Sequence, residues 1–207
     1  MLRVALTGGI ATGKSYVLAR VAARGVPTVD ADAVVHDLLA TSADVAAEIA
    51  RRFGAGMLAA GGGVDRKALG ALIFGDAAAR ADLEAILHPR AYLRIEAWAS
   101  ACALDGAPWG LADIPLLYET GRERDFDRVV VAACPPDEQV RRVVARDGVT
   151  EADARARLSA QWPIAWKAGR AADVVDTGGT FAETDRQVDE LCRRLDALSG
   201  GAPGARG

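Results

Sequence analysis

Residues 2–15 read LRVALTGGIATGKS. The apolar run from Leu2 to Thr7 is stopped by Gly8-Gly9, the pattern of a buried strand entering a tight turn. Beyond the turn the spacing becomes helical over residues 14–24, with Val17, Leu18, Val21 and Ala22 on one face. Between these elements, Gly8, Gly13, Lys14 and Ser15 satisfy G-x-x-x-x-G-K-[ST]. The spacing has a physical purpose: glycines let the loop wrap so that backbone N–H groups and the helix N-terminus point at phosphate oxygens. Lys14 then reaches the β- and γ-phosphates, and the Ser15 hydroxyl suits a Mg²⁺ ion. From this chain's own frequencies of Gly, Lys and Ser plus Thr, a chance match anywhere has a probability of roughly 0.002.

Working outward, further short apolar runs at residues 26–30, 109–114, 128–133 and 172–176 read as strands separated by long helical stretches. That alternation predicts an α/β fold, a parallel sheet flanked by helices. The last helix is the clearest, with Val188, Leu191, Cys192, Leu195 and Leu198 at i, i+3, i+4, i+7 and i+10. Two insertions interrupt the pattern, a helical one at 33–107 and a charged helical one at 136–169, both placed to act as flaps over a site. Residues 199–207 are a glycine-rich tail, expected to fray.

Composition narrows the function. In 207 residues, 51% hydrophobic and 26% charged positions suit a globular protein rather than a disordered one. A net charge of −3 gives no general polyanion surface, so nucleic acid is not an expected partner. No uninterrupted apolar run reaches about 18 residues, so no membrane partner is expected either. Cys102, Cys134 and Cys192 form no C-x-x-C pair and His36 and His88 are the only histidines, which supports neither a zinc site nor a disulfide framework. Free thiols without an export-type leader point to the cytoplasm. Asparagine is absent, which removes the N-K-x-D box of guanine-nucleotide switches and the Asn-terminated catalytic loop of protein kinases. A small ATP-using phosphotransferase remains, beside an ATP-binding switch that has no acceptor.

Four more segments carry a resemblance: V-D-A-D at 29–32, I-L-H-P at 86–89, D-I-P-L-L-Y-E at 113–119 and A-D-V-V-D at 172–176. With the phosphate loop, and in this order over residues 2–198, the chain resembles the dephospho-CoA kinase family. The resemblance implies a P-loop NTPase fold with ATP and Mg²⁺ as cofactors. It implies transfer of a phosphoryl group to the ribose 3′-hydroxyl of dephospho-CoA, a small-molecule partner, by a monomer or small homo-oligomer. Another small-molecule or nucleotide kinase of the same fold is the alternative. The family's parts map onto a nucleotide-binding core at 1–32, 108–135 and 170–198, a helical substrate domain at 33–107 and a lid at 136–169.

On that map the nucleotide side comprises Gly8, Gly9, Ile10, Ala11, Thr12, Gly13, Lys14, Ser15 and Tyr16, with Arg142 from the lid. The acceptor side comprises Thr7, Asp32, His88, Leu117, Tyr118 and Glu119. Ser15 and Asp113 serve the metal, and Asp32, Lys14 and Arg146 serve catalysis. Several of these residues have an ordinary alternative. Asp32 is the N-cap of the following helix if it is not the base. Asp113 is a strand-end carboxylate if it is not near the metal, and Tyr118 is core if it does not line the acceptor pocket. His88, before Pro89, is a structural residue at a helix break if it is not a substrate contact. Arg142 and Arg146, four apart, share a helix face and suit the charge of a transferring phosphoryl. Arg141, Arg155, Arg157, Lys67 and Lys167 read as solvated surface. The chain departs from the family at Ala11, where Gly is usual, at Tyr16, where Ser or Thr is usual, and at Thr177, where the Asn of D-N-x-G is usual.

Overall fold

The computed structural model describes residues 1–200; the expected tail lies, from residue 201 on, outside the described residues. All five apolar runs become strands with ends displaced by at most two residues: β1 (Leu2–Gly8), β2 (Thr28–Asp30), β3 (Trp109–Asp113), β4 (Arg128–Ala133) and β5 (Asp173–Asp176). They form one sheet in the order β2-β3-β1-β4-β5. β1 lies at its centre, in parallel register with β3 from Leu2↔Trp109 to Leu6↔Asp113 and with β4 from Val4↔Arg128 to Gly8↔Ala132. β4 pairs in parallel with β5. A strand flanked on both edges and covered on both faces has no polar side to show, which is why β1 reads as a continuous apolar run.

Helices α1 (Lys14–Ala22) and α9 (Phe181–Leu198) cover one face. Val17 and Val21 of α1, with Val188, Leu191, Cys192 and Leu195 of α9, pack into a cluster with Val4, Leu6, Leu111 and Val130. Leu198, the last residue of the expected stripe, is 56% exposed, because the helix ends there. A capping box between Thr180 and Glu183 starts α9, and a bond from Trp109 Nε1 to Asp196 Oδ1 at 2.7 Å ties it to β3. The 136–169 segment folds as α6 (Pro136–Asp147), α7 (Glu151–Ser159) and α8 (Ile164–Ala168).

By packing the chain forms two compact units, Met1–Val29 with the chain from Ala99 onward, and Asp30–Trp98. The second unit is helical: α2 (Ala31–Thr41), α3 (Ala43–Phe53), α4 (Arg66–Gly75) and most of α5 (Ala77–Leu104). Its own core gathers Leu38, Val45, Ile49, Leu69, Leu83, Ile86 and Leu87. Two expectations are corrected here. The N-cap of α2 is Asp30, whose Oδ1 accepts from the N–H of Asp32 at 2.8 Å and of Ala33 at 3.4 Å, so the capping role considered for Asp32 belongs to its neighbour. There is also no helix break at His88: α5 runs unbroken through Pro89. Pro89 is exposed, and the carbonyl it leaves without its helical donor is that of Ala85, itself exposed.

Candidate active site

The loop between β1 and α1 has all five of its carbonyls, Gly8 to Thr12, engaged. Lys167 Nζ donates to Gly8 O at 2.9 Å, and the Thr12 hydroxyl donates to Gly9 O at 2.9 Å. Gln139 Nε2 donates to Ile10 O at 2.7 Å, Arg142 to Ala11 O at 3.3 Å, and the Thr177 hydroxyl to Thr12 O at 2.7 Å. The Ile10 N–H is taken up by Gln161 Oε1 at 2.8 Å. Peptide units are planar and trans, so turning carbonyls toward these donors turns the following amides the opposite way. The amides of Gly13, Lys14 and Ser15 also open α1, where no intrahelical acceptor exists. Left-handed Gly13 (φ 77) and Ala11 (φ 56) supply the alternating curvature of an anion-binding nest. Gly8 is fixed by close approach: a Cβ there would meet Thr12 Oγ1 at 2.5 Å and Ala132 O at 2.6 Å.

The three departures from the family pattern each find a local answer. Ala11 adopts the left-handed angle that Gly would take more cheaply, and its methyl packs with Ile10 against the cluster of Val140 and Val143. Tyr16 turns away from the loop: its hydroxyl donates to Asp185 Oδ1 at 2.8 Å and its ring lies 4.7 Å from that of Phe181. The bond to Asp185, with some burial, raises the Tyr16 phenol above its ordinary value. Thr177 replaces an amide with a hydroxyl that lies 2.7 Å from Thr12 O and 3.1 Å from Ala133 O.

Register carries the next group to the loop. Leu6↔Asp113 sets the end of β3 beside the end of β1, and Lys14 Nζ lies 3.8 Å from Asp113 Oδ1, in a residue 3% exposed. Ser15 is exposed in the first turn of α1. Thr7 is buried and its hydroxyl donates to Pro115 O at 3.2 Å, which ties β1 to the D-I-P-L-L-Y-E segment. Within that segment Leu117 is buried, as is Tyr118, whose ring stacks edge-on to Trp166 at 5.5 Å. The Tyr118 hydroxyl is buried without a hydrogen-bond partner, and burial pushes its phenol upward. Glu119 pairs with Lys167 at 2.7 Å and accepts from the Trp162 N–H at 3.2 Å. Lys167, expected as solvated surface, is 0% exposed and joins this segment to the loop. Beside the loop lies a cavity of about 720 Å³, lined in part by Gly9, Cys134, Gln139, Leu158, Trp162 and Ile164.

Of the two arginines on the shared face of α6, one reaches the loop. Arg142 spans Glu138 (2.7 Å), Ala11 O (3.3 Å) and Thr177 O (2.6 Å). Burial pushes the Glu138 carboxyl up, but the bonds from Arg142 and Arg141 outweigh it and hold the group below its usual value. Arg146 instead folds onto Asp147 at 2.7 Å and stays 58% exposed. The Arg146 hydrogen bond, with Arg157 nearby, keeps the Asp147 carboxyl low. Arg141, Arg155 and Arg157 are surface residues paired with carboxylates, and Lys67 is exposed.

In the helical unit, Asp32 stands on the first turn of α2, just past the end of β2. It lines a recess of about 660 Å³ together with Asp30, His36, Asp37 and Arg66. Arg66 lies 3.3 Å from His36 Nε2. His88, half-buried on α5, is not among the residues lining that recess. The side chains that hold the loop, Gln139, Gln161, Thr177 and above all Lys167, were not recognisable as such in the sequence. Their partners lie far away in the chain, and a glutamine on a charged helix has no local signature.

The family model described as dephospho-CoA kinase matches residues 2–183. The chain belongs to the dephospho-CoA kinase family. It is 46% identical over 192 residues to the dephospho-CoA kinase of Anaeromyxobacter dehalogenans, covering 93% of this chain and 91% of that protein. It is 40% identical over 197 residues to that of Geobacillus kaustophilus, covering 95% and 98%. Among solved structures, a Thermus thermophilus protein superposes with a TM-score of 0.76 at 31% identity, covering 94% of this chain and 97% of that one. A dephospho-CoA kinase from Campylobacter jejuni superposes with a TM-score of 0.66 at 23% identity, covering 93% and 96%, which supports the shared fold. The departures at Ala11, Tyr16 and Thr177 are therefore variations within the dephospho-CoA kinase family, and kinases of this family use ATP.

Proposed function

We propose that the chain transfers the γ-phosphoryl group of ATP to the ribose 3′-hydroxyl of dephospho-CoA, giving coenzyme A and ADP, the last step of coenzyme A synthesis. The observation that carries this reading is the loop of outward-held carbonyls beside Lys14 and Asp113, in a chain of the dephospho-CoA kinase family. The ATP phosphates bind in the loop of residues 8–15, at amides other than that of Ile10, which Gln161 holds, with Lys14 leaving Asp113 for the β- and γ-oxygens. Asp32 accepts the proton of the attacking hydroxyl; a bond forms from that oxygen to the γ-phosphorus, and the bond from phosphorus to the β–γ bridging oxygen breaks. Arg146 leaves Asp147 to meet the transferring group, whereas Arg142 acts through the loop and Thr177. Thr7, Leu117, Tyr118, Glu119 and His88 belong to the acceptor side of this reading. Within it, residues 136–169 act as the lid and 33–107 as the substrate domain.

Mg²⁺ fits the residues present. Magnesium is held by one or two carboxylates together with substrate phosphates rather than by a cage of protein ligands. A hydroxyl at Ser15 and a buried carboxylate at Asp113 are a donor set of that kind, and no cluster of three metal-binding side chains occurs among the described residues. When bound, the ion neutralises charge on the phosphate oxygens. No helix of the described residues is long and apolar enough to cross a membrane, and Cys102, Cys134 and Cys192 are free. We place the enzyme in the cytoplasm, as a monomer or small homo-oligomer, without nucleic-acid or membrane partners.

A coupled ADP-release assay with Mg²⁺-ATP tests the reading. Turnover with dephospho-CoA should exceed that with shikimate, gluconate, adenosine or nucleoside monophosphates. Folded protein that leaves dephospho-CoA unphosphorylated would sink it.

A further inference from the structure

Lys167 carries a charge that the proposed reaction does not use. Its side chain is 0% exposed, bonded to Gly8 O at 2.9 Å and to Glu119 Oε1 at 2.7 Å. Burying an ammonium is costly even when it is paired, and an apolar side chain of similar length would fill this place in α8 without that cost. What the ammonium adds is a hold on the Gly8–Gly9 peptide. With no Cβ on either side, this peptide is the one in the loop most free to rotate. Because the unit is planar and trans, holding the Gly8 carbonyl at Lys167 aims the Gly9 N–H the opposite way. The remaining loop carbonyls are held by Thr12, Gln139, Arg142 and Thr177, so Gly8 depends on Lys167 alone among the side chains that bond the loop.

We infer that Lys167 is a positioning residue: its ammonium locks the Gly8–Gly9 peptide in the phosphate-binding orientation and, through Glu119, ties that orientation to the D-I-P-L-L-Y-E segment and α8. The inference rests on the reading of residues 8–15 as a phosphate cradle. The neighbours fit it. Glu119 Oε1 accepts from Lys167 and from the Trp162 N–H, Trp162 packs edge-on to Trp166 at 4.3 Å, and Trp166 precedes Lys167 in α8. The charge thus sits where three elements meet.

The experiment compares three variants with the unsubstituted full chain. Lys167→Met leaves the half-buried Glu119 carboxylate without its cation, holding only the Trp162 N–H, and is expected to lose stability. Lys167→Met/Glu119→Gln removes both charges, is expected to fold, and still lacks the donor to Gly8. Glu119→Gln keeps that donor. Each is checked for folding by circular dichroism and melting, then titrated calorimetrically with ATP and with inorganic tripolyphosphate. The double variant should bind both probes about ten- to a hundred-fold more weakly, the range for losing a hydrogen bond from a charged group. Glu119→Gln, which keeps the donor to Gly8, should bind both probes more tightly than the double variant; equal losses in the two would also overturn the inference. A folded double variant that binds both probes like the unsubstituted chain overturns the inference. So does a loss confined to ATP, which would place the effect at the nucleoside. If the unsubstituted chain binds neither probe, the phosphate reading itself fails, and the inference with it.

Discussion

Replacing Thr177 by valine isolates one hydrogen bond at the place where the family's Asn is missing. Thr177 is 6% exposed, and its hydroxyl lies 2.7 Å from Thr12 O, in a residue that is itself fully buried. Valine keeps the shape and removes the donor. The other acceptor near the hydroxyl, Ala133 O, retains the backbone N–H of Thr177 at 2.8 Å, so the loss falls on Thr12. A buried carbonyl left unmet costs about 1–3 kcal/mol. The methyl that replaces the hydroxyl returns about 0.8 kcal/mol, so the net loss is about 0.2–2.2 kcal/mol. For a chain of this length each kcal/mol moves the melting temperature by about 2–4 °C, which predicts a fall of about 0.5–9 °C by scanning calorimetry. Thr177→Ser keeps the donor and gives up one buried methyl, about 0.8 kcal/mol, a fall of about 2–3 °C. ATP affinity should fall in the valine variant and hold in the serine one, since the Thr12–Gly13 peptide is part of the cradle. A valine variant as stable as the unsubstituted chain would refute the account of how a hydroxyl stands in for the amide.

The chemistry and the backbone give further tests. Asp32→Asn and Lys14→Ala should each lower kcat by on the order of 10²–10⁴-fold with the melting temperature little changed, whereas Asp30→Ala should cost about 1 kcal/mol of stability through the lost N-cap. Near-normal turnover by Asp32→Asn in the ADP-release assay would remove it as the base. At position 11, glycine relieves a left-handed strain of about 1–2 kcal/mol but loses about 0.4–1 kcal/mol to chain entropy and up to about 0.8 kcal/mol of methyl packing. Ala11→Gly should therefore melt within about 6 °C of the unsubstituted chain, and Ala11→Val, β-branched at positive φ, clearly below it; the reverse order would contradict the assigned backbone angle. Burial pushes the Cys192 thiol up to about 11 from its ordinary 9.0. A raised value means the folded state holds the proton longer. The stability linked to it is complete below pH 9 and is lost as pH rises through about 11. Denaturant melts at pH 8 and 10.5 should show a smaller alkaline loss in Cys192→Val, and equal losses would count against the buried thiol as the cause.

Much of this was legible in the sequence, for identifiable reasons. β1, β3 and β4 announce themselves because central strands of a parallel sheet are apolar on both faces, and α9 because its period-3.6 stripe faces the sheet. The phosphate loop was legible because its geometry depends on glycines at fixed places. The cap of α2, weighed for Asp32 as the alternative to its role as base, falls at Asp30 because the two are chemically identical candidates, and only the backbone decides between them. Pro89 looked like a break because propensity does not know which face of a helix is wet. Lys167 was hidden for a deeper reason. Its acceptor is 159 positions away, and no local pattern distinguishes a lysine that covers a surface from one that holds up a loop.

The order of strands in the sheet has a consequence for how the chain is made. β1 leaves the ribosome well before its two neighbours, which begin at Trp109 and Arg128. At about 5–20 residues per second, this apolar strand waits roughly 6–25 s before residue 133 completes its second edge. During that interval the helical segments can form locally, while β1 is an unpaired, sticky ribbon of the kind that chaperones bind. The phosphate loop, fastened by side chains from residues 139–177, would be among the last parts of the molecule to mature. A truncated chain ending before Lys167 would thus carry the whole nucleotide motif without the means to shape it.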